Sequence, residues 1–264
     1  MLKNMKPVYL ALITIGSMGL TTMPAFACKE ITAVALQGSD AAELRVRVNN
    51  VILINHKGSH SNTVPANLLL EGDNDFKIEL ITDNPDATGR AEVFVACEGD
   101  FPKEPGKNEN VLAELSQQGA GEQSAIFQAK AQPAFSYLTG DVTTDDGLLE
   151  AIEMMRQAAE VGDAKGYMAF FEPMFTDLPL AGGPPPEMIK GMVSELLSGK
   201  YTIKSSKDVQ VNKILGGRAY QVVNSQDQGP IQFEEKTDVA TGRTTITQGA
   251  FWLKTANGWK VFRP

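Results

Sequence analysis

The last sixteen residues, Gly249–Pro264, read GAFWLKTANGWKVFRP and constrain the fold more than any other stretch. Asn257-Gly258 is a two-residue type I′ turn signal, because both central positions need positive φ and Asn and Gly tolerate it best. That turn predicts a hairpin with Leu253 opposite Phe262 and Trp252 opposite Arg263. Phe251, Leu253 and Phe262 then share one face, and Trp252, Trp259 and Val261 the other. Both faces are apolar. A hairpin with one wet side alternates apolar and polar, so this one is expected to pack helices on one side and a second surface, intra- or intermolecular, on the other.

At the opposite end, Met1–Ala27 carries Lys3 and Lys6 before an apolar run, Pro7–Leu20, and the small-residue site Ala25-Phe26-Ala27. This is the pattern of a secretory signal peptide, residues 1–27, and predicts an exported, periplasmic protein. Without its two lysines the formal charge goes from −8 to −10. Such an acidic balance excludes nucleic acid and anionic membrane surfaces as electrostatic partners. The two cysteines are Cys28 and Cys97. In an oxidising compartment the pair reads as one disulfide. The alternative is a lipoprotein anchored through an acylated Cys28, the one route by which a membrane enters this reading, although Ala25 and bulky Phe26 depart from the usual box.

Residues 28–142 are expected to form an all-β antiparallel sandwich domain. Leu44–Val48 alternates, Asn49-Asn50 offers a two-residue turn, and Val51–Ile54 returns with Val48 opposite Val51 and Val46 opposite Leu53. Phe76–Leu80 and Arg90–Cys97 follow turn-forming runs. His56 and His60, the only histidines, flank Gly58 and read as loop residues, and no metal or cofactor is expected. The segment RVRVNN…NLLLEGDNDFKIELIT resembles small β-sandwich modules, some of them carbohydrate-binding. That resemblance implies a sugar-recognition accessory role, but this half has no Trp platform for a sugar ring.

Residues 143–264 change character. Thr144 is placed to cap a helix beginning at Asp145 and Asp146, with Leu148, Ile152 and Met155 at helical spacing and Leu149 and Met154 widening the stripe. Asp163 caps a second helix presenting Tyr167, Phe170 and Phe171 and ended by Pro173. Pro186 starts a third, with Met188, Met192 and Leu196 on one side. Strands follow, with Gly216-Gly217 as a hairpin turn. The apolar stretch Ala131–Val142 between the two parts is expected to be clamped rather than free.

Ala159-Glu160-Val161-Gly162-Asp163 leading to Phe170-Phe171, then Gly217-Arg218-Ala219-Tyr220, then Phe251–Lys254 with Gly258–Val261 are the phrases by which this second half resembles the NTF2-like (SnoaL and ketosteroid-isomerase-like) superfamily. The resemblance implies an α+β cone, three helices on a curved antiparallel sheet, and a homodimer through the outer face of that sheet. It also implies a cavity with a carboxylate base, which makes Asp177 the catalytic candidate of an isomerase or dehydratase. The first helix offers Met154, Met155 and Arg156 where the family places a donor Tyr. The reading favoured by the residues is therefore an exported, non-catalytic binding or assembly protein taking a small apolar ligand or a protein partner, with Met155, Met188, Met192 and Tyr220 as the pocket candidates.

Overall fold

A computed structural model describes residues 28–66, 68–97, 99, 103–130, 133–181, 183–206, 208–236 and 245–263; the signal-peptide reading of 1–27 lies outside the described residues. The architecture is mainly antiparallel β with short helices. Among the described residues no helix is long and apolar enough to cross a membrane.

The amino-terminal half holds β1 (Glu30–Gly38), β2 (Glu43–Val48), β3 (Val51–Lys57), β4 (His60–Pro65), β5 (Gly72–Ile81), β6 (Thr88–Cys97), β7 (Val111–Gln118) and β8 (Gly121–Ala129). They form two four-stranded sheets, β4-β1-β6-β7 and β3-β2-β5-β8. Strict alternation drives this arrangement. In β2, Leu44, Val46 and Val48 are buried while Glu43, Arg45 and Arg47 stay at the surface. The inward residues of both sheets, among them Leu36, Val46, Phe76, Ile78, Val93 and Phe127, share one apolar cluster. Cys28 and Cys97 are joined in a disulfide that ties the start of the described chain to the end of β6, with Cα atoms 5.4 Å apart.

Asn49 and Asn50 take φ of 50° and 64°, the left-handed pair a type I′ turn needs, and Val48 pairs with Val51 as expected. A bulge between Val46 and Arg47 then moves Val46 opposite Ile54 rather than Leu53. The histidine segment is also more ordered than a loop. His56 ends in β3, His60 opens β4, and their rings lie 3.7 Å apart where the chain crosses from one sheet to the other.

The carboxy-terminal half begins with α1 (Leu148–Glu160), α2 (Ala164–Met168), α3 (Glu172–Asp177) and α4 (Pro186–Leu196). Helix α1 starts later than Thr144 predicted, because Gly147 turns left-handed at φ 78° and serves as the N-cap while the Thr144 hydroxyl bonds Asp146. Asp163 does cap α2, its carboxylate accepting from Gly166 N at 2.9 Å. Pro173 does not end that helix but sits in the first turn of α3, where its missing N–H costs nothing.

Among the described residues this half continues with seven strands: β9 (Tyr201–Ser205), β10 (Gln210–Ile214), β11 (Ala219–Val223), β12 (Ile231–Glu235), β13 (Thr245–Gln248), β14 (Phe251–Thr255) and β15 (Gly258–Arg263). These strands fall into two antiparallel sheets. One sheet runs β13-β12-β9, with β12 in the middle, and the other runs β10-β11-β14-β15. Backbone bonds Val222 N to Ala250 O and Ser206 N to Pro230 O, each 2.8 Å, extend the ladders of β11 with β14 and of β9 with β12 by one step each.

The terminal hairpin forms, in a different register. Thr255 pairs with Gly258 and Leu253 with Lys260, so the turn is Ala256-Asn257 and only Gly258 is left-handed, at φ 91°. This is the geometry of a type I turn followed by a glycine bulge rather than the expected type I′ turn. From Trp252 to the turn the slip is two residues, an even number, so these side chains keep their faces, and a register shift between Phe251 and Trp252 then sets Phe251 opposite Arg263. Trp252, Trp259 and Val261 pack with Met155, Tyr167, Phe171 and Phe233 under the helices. Leu253 and Phe262 face the other way, into a cluster with Val51 and Leu68 of the amino-terminal half and Tyr137 of the connecting segment.

The expected second surface is therefore intramolecular: the face of the hairpin that a homodimer was expected to use is covered by the chain itself. Edge strand β3 is part of that cover, with Ile52 N bonded to Gln221 Oε1 at 3.1 Å. Leu215 N bonds Asn49 O at 3.1 Å, and Leu215, fully buried, holds φ 53° to insert its side chain at the contact. A left-handed leucine costs about 1–2 kcal/mol of backbone strain. Leu215→Ala is expected to lose about 2–4 kcal/mol of stability, and Leu215→Gly to be the milder change although it removes one more carbon, because it relieves that strain. Urea denaturation checks the order; a glycine variant less stable than the alanine variant contradicts it.

Candidate functional site

The geometry around Asp177 begins with the connecting segment. Phe135, Tyr137 and Leu138 pack into the junction cluster, so the middle of the apolar stretch is clamped as expected, whereas Pro133, Ala134 and Val142 are exposed and Ala131 and Gln132 lie outside the described residues. Tyr137 is 2% exposed, stacks on Phe135 and meets Phe262 at 5.8 Å, and its hydroxyl donates to Leu69 O at 3.3 Å. Ser136–Leu138 makes one 3₁₀ turn whose first N–H has no cap from its own sequence. Asp177, the last residue of α3 and 7% exposed, supplies it: Ser136 N and Oγ donate to Oδ1 at 2.9 and 2.7 Å.

Asp177 is thus a remote capping group that pins the connecting segment to α3. Burial lowers the Arg263 guanidinium from its ordinary range, with Tyr137 and Asp177 acting in the opposite direction. Desolvation pushes the Tyr137 phenol up to about 12; the positive charge of Arg263 lowers it and the negative charge of Asp177 raises it further. A cleft of about 640 Å³ opens nearby between Ser136, Thr143, Glu172, Thr176 and Lys254, and Asp177 is not part of its lining.

The four pocket candidates separate into two places. Met155 and Tyr220 are buried in the cluster under the helices, where the Tyr220 ring meets Trp259 edge-on at 5.5 Å and its hydroxyl donates to Thr143 O. Interior space there is taken by Tyr167, Phe171, Met174, Phe233 and Trp252. Met188 and Met192 are 55% and 59% exposed. Of the predicted stripe of α4, Leu196 is buried as expected, but Met188 and Met192 are not. Ile189, Val193 and Leu196 point inward, which turns Met188 and Met192 to the flank and Gly191 to the solvent. Met154 and Leu149 of α1, expected to widen the buried stripe, are likewise exposed. Nothing lies within 4 Å of where a Gly191 Cβ would stand.

Sequence reasoning passed over the buried roles of Asn49, Asn74 and Glu92. Asn49 and Asn74 interlock, Asn49 Nδ2 reaching Asn74 Oδ1 at 2.8 Å and Leu68 O at 3.1 Å, and so fix the loop that meets Tyr137. Glu92 is fully buried in β6 and accepts from Gly106 N at 2.6 Å and Asn108 Nδ2 at 2.5 Å, holding the loop over the outer sheet face. None of these roles shows a signal in sequence, since Asn is common in turns and Glu in exposed strand faces. Among the described residues no group of three or more His, Cys, Asp or Glu side chains is arranged to hold a metal.

Tyr167 carries the one buried hydroxyl with no partner among the described residues, and burial raises its pKa. An orphan donor in a dry interior costs about 1–3 kcal/mol. Tyr167→Phe is accordingly expected to raise the melting temperature or leave it unchanged; a loss of about 1 kcal/mol or more would mean that the hydroxyl serves a water or ligand in the interior. The pH dependence is also defined. In the unfolded chain a tyrosine ionises near pH 10, while folded Tyr137 keeps its proton to about 12. The folded state binds more protons in that interval, so stability is full below pH 10 and falls from 10 towards 12. Tyr137→Phe should flatten that limb in alkaline urea titrations, and an unaltered slope would remove Tyr137 from the account.

Comparison with known proteins gives no match: no family model, no curated protein and no solved structure aligns significantly with this chain.

Proposed function

We propose that this chain is an exported binding or assembly protein whose carboxy-terminal half, an NTF2-like cone joined to a β-sandwich, docks a protein partner through α4. A disulfide between Cys28 and Cys97 is compatible with export. The supporting observation for docking is the contrast within the methionines. Met155 is buried among the aromatic rings under the helices, while Met188 and Met192 stand outside on α4 beside an unshielded Gly191. A glycine inside an exposed helix costs about 0.5–1 kcal/mol relative to Ala, and the space around it supplies no intramolecular reason for it. Close approach of a partner backbone supplies one. Thioethers adapt to irregular apolar surfaces, so a mobile pair flanking that gap suits a protein partner better than an enclosed ligand.

Photo-crosslinking tests this. A benzophenone side chain in place of Glu195 should give a discrete adduct in envelope preparations of the source cell, and Met188→Asp with Met192→Asp should abolish it with the melting temperature unchanged. The same group in place of Glu122, on the sandwich, should give none. An adduct of twice the chain mass would assign the surface to self-association, and equal adducts from both positions would dispose of α4 as the docking face.

A further inference from the structure

We infer that Met188 and Met192 form an oxidant-sensitive modification site that switches the α4 surface between apolar and polar states. The inference rests on the docking reading above for its consequence and on exposure alone for its chemistry. Of the six methionines between 154 and 192, Met155 and Met174 are buried in the helix-covered cluster and Met168 packs against it, whereas Met154, Met188 and Met192 are open to solvent. Met188 and Met192 are four apart on one helix, so both sulfurs belong to the same flank of α4. Gly191 between them adds no side chain to shield either one. Met154 stands on α1 and serves as an exposed methionine outside the site.

The step takes a peroxide as oxidant. A thioether lone pair attacks one peroxide oxygen, an S–O bond forms and the O–O bond breaks. Sulfur loses two electrons, and the departing hydroxide takes the proton of the transferred oxygen and leaves as water. The product, methionine sulfoxide, carries a strong hydrogen-bond acceptor in place of an apolar sulfur. Two such groups on one flank must be desolvated when a partner covers them, which disfavours docking. Reduction of the sulfoxides by methionine sulfoxide reductase restores the apolar surface, so the change is reversible.

Graded hydrogen peroxide treatment of the intact chain, followed by peptide mass mapping, tests the chemistry. Met188 and Met192 should gain about 16 Da each at doses at least about tenfold below those that modify Met155 and Met174. Crosslinking from position 195 should fall about tenfold in the oxidised protein and return after reductase treatment. It should persist through oxidation in the Met188→Leu, Met192→Leu variant, and a Met154→Leu variant should behave as the parent. Equal oxidation of buried and exposed methionines overturns the site. Undiminished crosslinking by a protein carrying both sulfoxides overturns the switch while leaving docking intact. No adduct from the untreated protein overturns the docking reading and the switch with it, and the order of oxidation is still read separately.

Discussion

The terminal hairpin has no side that water can wet. Trp252, Trp259 and Val261 project one way and Leu253 and Phe262 the other, and each fully buried side chain of this size contributes about 1.5–3 kcal/mol on leaving water. Both faces must therefore be covered. Helices α1 to α4 cover the first, and β3, the Leu68 loop and the connecting segment cover the second. The arrangement of everything after the amino-terminal sheets follows from that double requirement.

Covering the second face dictates where polar groups go. A connecting segment buried at a junction brings backbone N–H groups with it, and each needs a partner. Asp177 satisfies Ser136, Asn49 and Asn74 satisfy the loop around Leu68, and Gln221 satisfies Ile52. These side chains carry the chemistry that a reader would assign to a binding site, yet their hydrogen bonds are used to join two parts of one chain. The strain at Leu215 has the same origin. Its left-handed backbone is what places a leucine between the two halves.

The surface of α4 is one of several places where large apolar groups remain exposed, Ile126, Val142, Met154 and Val161 being others. Helix α4 is short and docks through Ile189, Val193 and Leu196. That inward stripe leaves both methionines and Gly191 outside. The acidic residues Glu187 and Glu195 on that side are already paired with Lys190 and Lys200, so the charges around the methionines balance locally in a chain that is acidic as a whole.

Alternation and turn chemistry were legible along the chain. The β-rich amino-terminal sequence, the Asn49-Asn50 turn, the Asp163 cap, the two apolar faces of the last hairpin and the clamped character of Phe135 to Leu138 all depend on residues adjacent in sequence or on a period of two, and a register slip of two leaves such a period intact. The rest depended on distant partners. Whether Met188 is buried is decided by a rotation of α4 that only the packing of Val193 and Leu196 sets. Whether Asp177 faces a cavity or a backbone N–H is decided by where Ser136 arrives from across the fold. The sequence by itself determined which surfaces had to leave water; the tertiary structure alone decided what would cover them, because burial is demanded by the chemistry of a side chain but satisfied by whatever the chain path brings against it.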